Sequence, residues 1–572
     1  MHEALAAELG LSTHFSTILA HRKLSTREEG STFLTPTMRS LADPMEMTDM
    51  QPAVARLVQA VEEGEPLAVF GDYDVDGATS SALLTRYFRA LDMPIRVYIP
   101  DRLTEGYGPN PNAMRALYEE GFRLLITVDC GVSAFAAMDE AAALGLEVIV
   151  TDHHRQDPEG LPQALAVINP NRADETFPHK ELAGVGVAFY LTMALNRALR
   201  ERGWFAVDDH PKEPDLRRLL DLVAVGTVAD VARIVGANRP LVAAGLKRAP
   251  QGDNLGLLAL IEKVGVKLRN GALGVGQVGF QIGPRINAAG RLSMGALGCE
   301  LLTTEDPRRA RELAELLDET NRERQELEQT ILDEALELIE KKRLLEHHTA
   351  LVVAGCGWHP GVIGIVCSRI VEKYHRPAFV VAIDEESGEG KASGRSIPGV
   401  DLLEAVVAAR EHLVYFGGHK MAAGFTIREE NLPAFEEQFD RAICEANDPD
   451  LFMPTLLVDG ALPLSAANMA LTQQLQRLEP FGPGNPEPVF VLKGVRMAEA
   501  RILKDAHVKC SLEDGVGNRI DGIVFRAWPG PLGEGLMNVG ATMDLCGTLS
   551  VNSFRGRDSV QMMIRDARFS EA

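Results

Sequence analysis

The chain has 572 residues and carries 81 acidic against 58 basic side chains, a net charge of −23. That length predicts about three or four domains, and the acidic balance excludes a basic coat over the whole surface, so any nucleic-acid contact has to be a local groove. Seven cysteines without a C-x-x-C pair exclude a disulfide framework and a structural zinc, while the lack of a long apolar run or a signal-like start predicts a soluble, cytoplasmic protein with no membrane segment.

Residues 1–50 read as short helices and loops, a cap packed on the adjoining domain. From about 51 the pattern alternates. Strand-type runs at Leu67–Phe70, Ile95–Ile99, Leu124–Val128, Leu146–Val150 and Leu165–Ile168 are separated by helix-type runs at Ala78–Leu91, Asn112–Glu120 and Ala134–Leu144. Continuous apolar strands alternating with helices predict an α/β fold with a parallel sheet covered on both faces. In such sheets ligands bind beyond the carboxyl ends of the strands.

From 181 to 300 the chain reads as mostly helical and ends in a glycine-dense stretch, Gly271–Gly298. The literal G-x-G-x-x-G at Gly274–Gly279 lacks a βαβ setting, which argues against a dinucleotide site. A helix of about 40 residues opens at Asp306-Pro307, with proline in its first turn. A second α/β lobe follows, with strands at Ala350–Ala354 and Ala378–Ala382. The last segment is β-rich, with strands at Thr455–Val458, Val489–Leu492, Val508–Leu512, Ile520–Phe525 and Leu545–Val551, and a rigid Pro/Gly loop at Glu479–Pro488. About five strands in that length predict a small closed barrel of oligonucleotide-binding type. The expected domains are 1–50, 51–305, a connecting helix 306–346, 347–452 and 453–572.

The chemistry gathers at the strand ends. Phe70 closes the first strand, and Asp72, Asp74 and Asp76 follow at alternate positions. Carboxylates crowded in this way repel unless a cation stands among them, and hard divalent ions prefer such oxygen ligands. Asp129 follows the strand at 124–128, Asp152-His153-His154 follows the strand at 146–150, and Asp230 follows a later apolar helix. A set rich in oxygen with one imidazole suits Mn²⁺ or Mg²⁺ better than zinc. Two ions need a bridging carboxylate, and Asp129 on a central strand is the natural one. In the barrel segment, Arg526-Ala527-Trp528 and Phe554-Arg555-Gly556-Arg557 pair aromatics with arginines, as single-strand binding uses them. For Phe490 and Phe525 a place in the barrel core is at least as good a reading.

These motifs, in order, resemble those of the DHH phosphoesterase superfamily: Gly71-Asp72-Tyr73-Asp74-Val75-Asp76-Gly77, Val128-Asp129-Cys130-Gly131, Thr151-Asp152-His153-His154 and Val228-Ala229-Asp230. Gly417–Gly424 is similar to the substrate-binding signature of the domain that accompanies it. Ile282–Arg291, Gly357–Gly364, Ser393–Ile397 and Phe481–Pro486 resemble motifs of the RecJ family of 5′→3′ exonucleases. The resemblance runs from about residue 65 to 490.

It implies that Asp74, Asp76, Asp129, His153 and Asp230 hold two ions, with Asp72 as ligand or support. Asp152 is expected to orient His153 from behind, and His154 to face the substrate phosphate. It implies a substrate grip from Arg285, Asn287, Arg291, His359, Ser393, Arg395, Gly418 and His419. The three arginines sit among glycines, where a guanidinium can hold phosphate in bidentate fashion. Gly417–Gly424 is expected to open a helix and offer backbone N–H groups to an anion. The implied activity is a two-metal exodeoxyribonuclease that degrades single-stranded DNA from the 5′ end to mononucleotides in repair and recombination, in a cleft spanned by the long helix. Single-strand-binding protein and a recombination helicase are the implied partners. The rivals are a phosphoesterase of short oligonucleotides or cyclic dinucleotides, and a non-catalytic replication scaffold. The barrel and the length oppose the first, and the complete ligand set opposes the second.

Overall fold

The computed structural model describes residues 2–101, 105–106, 108–291, 294–554 and 556–570. The chain separates into two compact units. One comprises residues 1–100, 107–283 and 457–572, the other 101–106 and 284–456.

The first unit holds five parallel strands: β1 (Leu67–Gly71), β2 (Ile95–Tyr98), β3 (Leu124–Val128), β4 (Glu147–Thr151) and β5 (Ala166–Ile168). Their order is β2-β1-β3-β4-β5. β1 and β3 are buried along their whole length, which explains why both read as unbroken apolar runs. The helix after β1 spans Val75–Ala90 rather than starting at Ala78. Asp74 is its N-cap, and its carboxylate accepts from the N–H groups of Asp76 and Gly77, so the acidic motif itself opens the helix. Helices Gly184–Glu201 and Leu220–Ala229 are buried over most of their residues.

In the second unit the 35-residue helix Pro307–Lys341 is capped by Asp306. Ile331, Ala335 and Ile339 on it share a core with the helix Ile363–Tyr374 and with β6 (Leu351–Cys356) and β7 (Ala378–Ile383). β8 (Glu389–Arg395), β9 (Leu413–His419) and β10 (Ala422–Arg428) complete a mixed sheet of order β6-β7-β8-β10-β9. The sequence reading missed these three strands and expected Gly417–Gly424 to open a helix. That run is instead a hairpin, with Gly417 paired to Gly424. Glycine disguised the strands, yet packing requires it in one of them. A Cβ on Gly394 would collide with the Phe379 ring.

The barrel returns to the first unit. β11 (Gly460–Leu462) flanks β12 (Phe490–Leu503). β12 continues through β13 (His507–Glu513), β14 (Arg519–Val524), β16 (Arg557–Phe569) and β15 (Thr542–Phe554), which pairs back to β12 and closes five strands. Thr455–Val458, expected as a strand, is irregular, and pairing begins only at Gly460. Phe490 is core, whereas Phe525 is 54% exposed.

The helices His2–Glu8, Phe15–His21 and Arg27–Leu34 pack on this barrel. Leu5, Phe15, Ile18 and Leu19 share one apolar core with Leu492, Leu512, Leu545 and Ile564. The Pro/Gly loop ties the barrel to the parallel-sheet domain. Ile234 N–H donates to the Pro483 carbonyl at 2.7 Å. Arg22 donates to Asn485 Oδ1 at 2.7 Å and to the Pro486 carbonyl at 2.6 Å. Buried Arg239 donates to the carbonyls of Leu478, Glu479 and Pro480. Among the described residues no helix is long and apolar enough to cross a membrane.

Candidate metal centre and anion cleft

Because β1, β3 and β4 are neighbours, their carboxyl ends bring the three acidic motifs together. Ligand atoms of Asp72, Asp74 and Asp129 lie within 4.8 Å of one another, as do those of Asp76, His153 and Asp230, and those of Asp129, His153 and His154. Asp129 thus belongs to two groups and His153 to two. His153 Nε2 stands 3.1 Å from Asp129 Oδ1 and 3.9 Å from both Asp76 Oδ2 and Asp230 Oδ2.

Backbone geometry places each ligand. Asp129 has φ near 59°, the left-handed region that aspartate tolerates better than most residues. The helix Gly184–Glu201 points its first N–H groups at Asp76, with Gly184 donating at 2.6 Å and Val185 at 2.9 Å. Only glycine permits this approach, since a Cβ at Gly184 would lie 2.7 Å from the Asp129 Cβ. Asp230 terminates the helix Leu220–Ala229.

The expected link from the Asp152 carboxylate to the His153 ring is not what the structure shows. Asp152 Oδ1 meets His154 Nδ1 at 2.8 Å, and the carboxylate accepts from the N–H groups of His153, His154 and Val132. It holds His153 through its backbone and His154 through its ring. Asn169 and Asn171 support the same turn by donating to the carbonyls of His154 and His153. Sequence reading passed over both asparagines. The Asn169-Pro170-Asn171 turn at the end of β5, beside the histidine turn, was the available signal.

The electrostatics fit a cation. Burial, then the charge of Asp74, lifts Asp76 to about 7. Burial and the neighbouring Asp76 and Asp74 lift Asp230 to about 8. Asp129 is pushed well up by burial and by Asp76, Asp74, Asp72 and Asp230 around it. Burial, with His154 beside it, lowers His153 to about 4, which leaves a neutral imidazole ready to ligate. Asp76, Asp129 and Asp230 thus hold protons more readily than ordinary carboxylates until a cation replaces them. Burial lowers His154, but the Asp152 carboxylate outweighs it and raises the imidazole to about 9.

The second unit contains a cleft of about 470 Å³ lined by Arg291, Gly361, Lys391, Ser393, Arg395 and Gly418, among others. Arg291 donates to the Gly361 carbonyl at 2.9 Å, and Arg395 lies 3.2 Å from Ser393 Oγ. Both Ser393 and Arg395 are strand residues of β8, not loop residues. Arg285 is not in their cluster. It lies on the helix Gly283–Arg291 and pairs with Asp318 of the long helix at 2.8 Å, so Arg291 stands where Arg285 was expected. Asn287 is half-buried on the same helix. His359 Nδ1 accepts from Gly361 N–H, and His419 is exposed at the end of β9.

In the barrel, Phe525, Arg526 and Arg565 line a groove of about 660 Å³. Trp528 packs against the barrel core and is no open platform. The expected platform at 554–557 falls on Arg555 and the Phe554 side chain, which lie outside the described residues.

Comparison with known proteins matches three stretches of the chain to family models. Residues 66–227 match the model of the DHH family N-terminal domain, 348–445 the DHHA1 domain, and 458–566 the RecJ OB domain. The single-stranded-DNA-specific exonuclease RecJ of Escherichia coli K12 is 39% identical over 91% of this chain and 90% of its own. The protein of the same name from Bacillus subtilis is 37% identical over 100% of this chain and 70% of its own. A crystal structure of RecJ in complex with Mn²⁺ from Thermus thermophilus superposes with a TM-score of 0.81 at 32% identity, covering 99% of this chain and 78% of that one. Its counterpart in complex with Mg²⁺ gives 0.75 at 30%, covering 99% and 76%.

Proposed function

The chain belongs to the RecJ family of single-stranded-DNA-specific exonucleases, and from that footing we propose that it hydrolyses single strands from the 5′ end to mononucleotides, with Mn²⁺ or Mg²⁺ as cofactor. The observation that carries this reading is the cluster formed by buried Asp72, Asp76 and Asp129 with half-buried Asp74, His153 and Asp230. We assign these six side chains to two ions. Divalent cations bound there supply the charge that activates a water and stabilises the leaving oxygen of a phosphodiester.

The protein's own groups do the rest. The N–H groups of Gly184 and Val185 fix Asp76, and Asp152 fixes the turn that carries both histidines. His154, protonated at neutral pH through Asp152, presents a positive N–H to a phosphate oxygen. We read the cleft of Arg291, Ser393 and Arg395 as the receptor of a terminal 5′-phosphate, which gives polarity to a reaction that in-line attack alone leaves undirected. The barrel groove at Phe525, Arg526 and Arg565 is read as a contact for the strand beyond the site. A role in DNA repair and recombination follows from this specificity.

The test uses end-labelled single strands with Mn²⁺ or Mg²⁺, carrying either a 5′-phosphate or a 5′-hydroxyl. Arg395→Ala is expected to slow cleavage of phosphorylated strands strongly and of hydroxyl strands much less. Equal loss on both sinks the assignment of polarity to this cleft, and release of nucleotides from the 3′ end sinks the proposed direction.

A further inference from the structure

We propose that Tyr415 is the surface on which the 5′-terminal base stacks, across a shallow trough from Lys391, Ser393 and Arg395. The inference deepens the reading of that cleft as a phosphate receptor and rests on it. Antiparallel partners in a sheet point to the same face, so the register of β8, β10 and β9 defines three rows. Lys391 pairs with Thr426, and Thr426 with Tyr415. Ser393 pairs with Gly424, and Gly424 with Gly417. Arg395 pairs with Ala422, and Ala422 with His419.

Burial confirms that this is one face. Ala423, Phe425 and Ile427 point the other way into the core, while Ala422, Gly424 and Thr426 are partly exposed. The trough therefore has one bank of Lys391, Ser393 and Arg395, a floor of Gly424, Gly417 and Ala422, and a far bank of Tyr415 and His419. The banks are two strand spacings apart, about 10 Å. That is about the span of a nucleotide from its phosphate to the far edge of its base. Cations and a hydroxyl stand on one bank and aromatic rings on the other, in the order a phosphate, a sugar and a base require.

Tyr415 itself invites this reading. It is 72% exposed, on an edge strand where a charged residue is the ordinary choice. Its ring leans over the floor, since a Cβ on Gly417 would lie 3.8 Å from the hydroxyl oxygen. A side chain at 417 would fill the space the base needs. Neither Tyr415 nor Lys391 belongs to the metal centre.

The experiment uses the full chain with EDTA, so that the strand is bound but not cut, and a 5′-phosphorylated single strand with 2-aminopurine as its first base. The wild type is expected to quench the probe, and Tyr415→Ala to abolish that quenching and weaken binding about tenfold, within the 1–3 kcal/mol assigned to one base stack. Tyr415→Phe keeps the ring and is expected to restore both. With Mn²⁺ present, an abasic first position should raise the wild-type KM to that of Tyr415→Ala and leave kcat unchanged. If Tyr415→Ala quenches and binds like the wild type while the loss in Arg395→Ala is confined mainly to 5′-phosphorylated strands, the stacking proposal fails and the phosphate reading stands. If quenching is lost in Tyr415→Ala but Arg395→Ala slows cleavage of 5′-phosphate and 5′-hydroxyl strands equally, the stacking stands and the phosphate reading fails.

Discussion

Arg239 Nε donates to the Phe33 carbonyl at 2.9 Å while its guanidinium carbon lies 3.9 Å above the Phe33 ring. The same guanidinium serves the carbonyls of Leu478, Glu479 and Pro480. One buried cation therefore joins the N-terminal helices, the parallel-sheet domain and the loop that leads into the barrel. Its burial, together with nearby Arg22, lowers it to about 10, still far enough up to keep the charge at neutral pH.

Arg239→Met is expected to leave those carbonyls without a donor and to destabilise the first unit by about 3–5 kcal/mol. Arg239→Lys should recover only part of this, because an ammonium lacks the planar fork. Urea unfolding followed by tryptophan fluorescence reads the difference. An unchanged midpoint for Arg239→Met means that the hub carries no stability.

Deleting the barrel alone is expected to produce an aggregating protein. Leu5, Phe15, Ile18 and Leu19 would lose the core they share with it, at about 1.5–3 kcal/mol for each large side chain exposed. Removal of residues 1–36 together with everything after 456 should give a monodisperse protein that still cuts short strands. Size-exclusion chromatography of the two truncations decides this, and equal behaviour refutes it.

Asp129→Asn is expected to cost several orders of magnitude in turnover, because it removes a carboxylate common to two ligand groups. Asparagine tolerates the left-handed backbone at this position and places no ionisable acid beside Asp72, Asp74 and Asp76, so the metal-free variant should melt no lower than the wild type. Calorimetry in EDTA and a nuclease assay in Mn²⁺ read the two effects separately. Wild-type turnover in this variant would end the assignment.

The metal-free protein should lose stability as pH rises. Asp76 and Asp230 are lifted in the fold to about 7 and about 8, above the ordinary carboxylate value, so the folded state binds more protons than the unfolded one between about pH 4 and 8. The favourable contribution of the protonated acids is complete below the ordinary carboxylate range and fades as pH climbs through 7 to 8. Melting in EDTA is expected several degrees lower at pH 8 than at pH 6, and Mn²⁺ should raise it more at pH 8. A flat or inverted profile contradicts the shifts.

Much of the centre was legible in sequence because parallel strands are short, apolar and end in place. Asp72 to Asp76, Asp129 and His153 follow their strands directly, and order alone put them on one edge. Asp230 was harder, since its position depends on where a buried helix stops. The second unit was less legible. Ser393 and Arg395 looked like turn residues because glycines around them hid β8, and only the Phe379 ring explains why Gly394 belongs in a strand. Arg285 and Arg291 could not be separated by type, because their difference lies in which partner each helix face meets, Asp318 or Gly361. Asp152 misled for a similar reason: its carboxylate bonds the ring of the next histidine but one, and sequence spacing does not choose between two adjacent rings.

The core shared by the first helices and the barrel also has a consequence in time. A ribosome releases Leu5 long before Ile564, with both α/β lobes between them. At about 5–20 residues per second, the apolar faces of Phe15, Ile18 and Leu19 wait on the order of a minute before their partners exist. During that interval the parallel sheet can already have formed, since all of its strands lie before residue 170. The newborn chain thus carries an unsatisfied apolar segment until the barrel strands emerge, and a holding chaperone has its target there and not at the catalytic core.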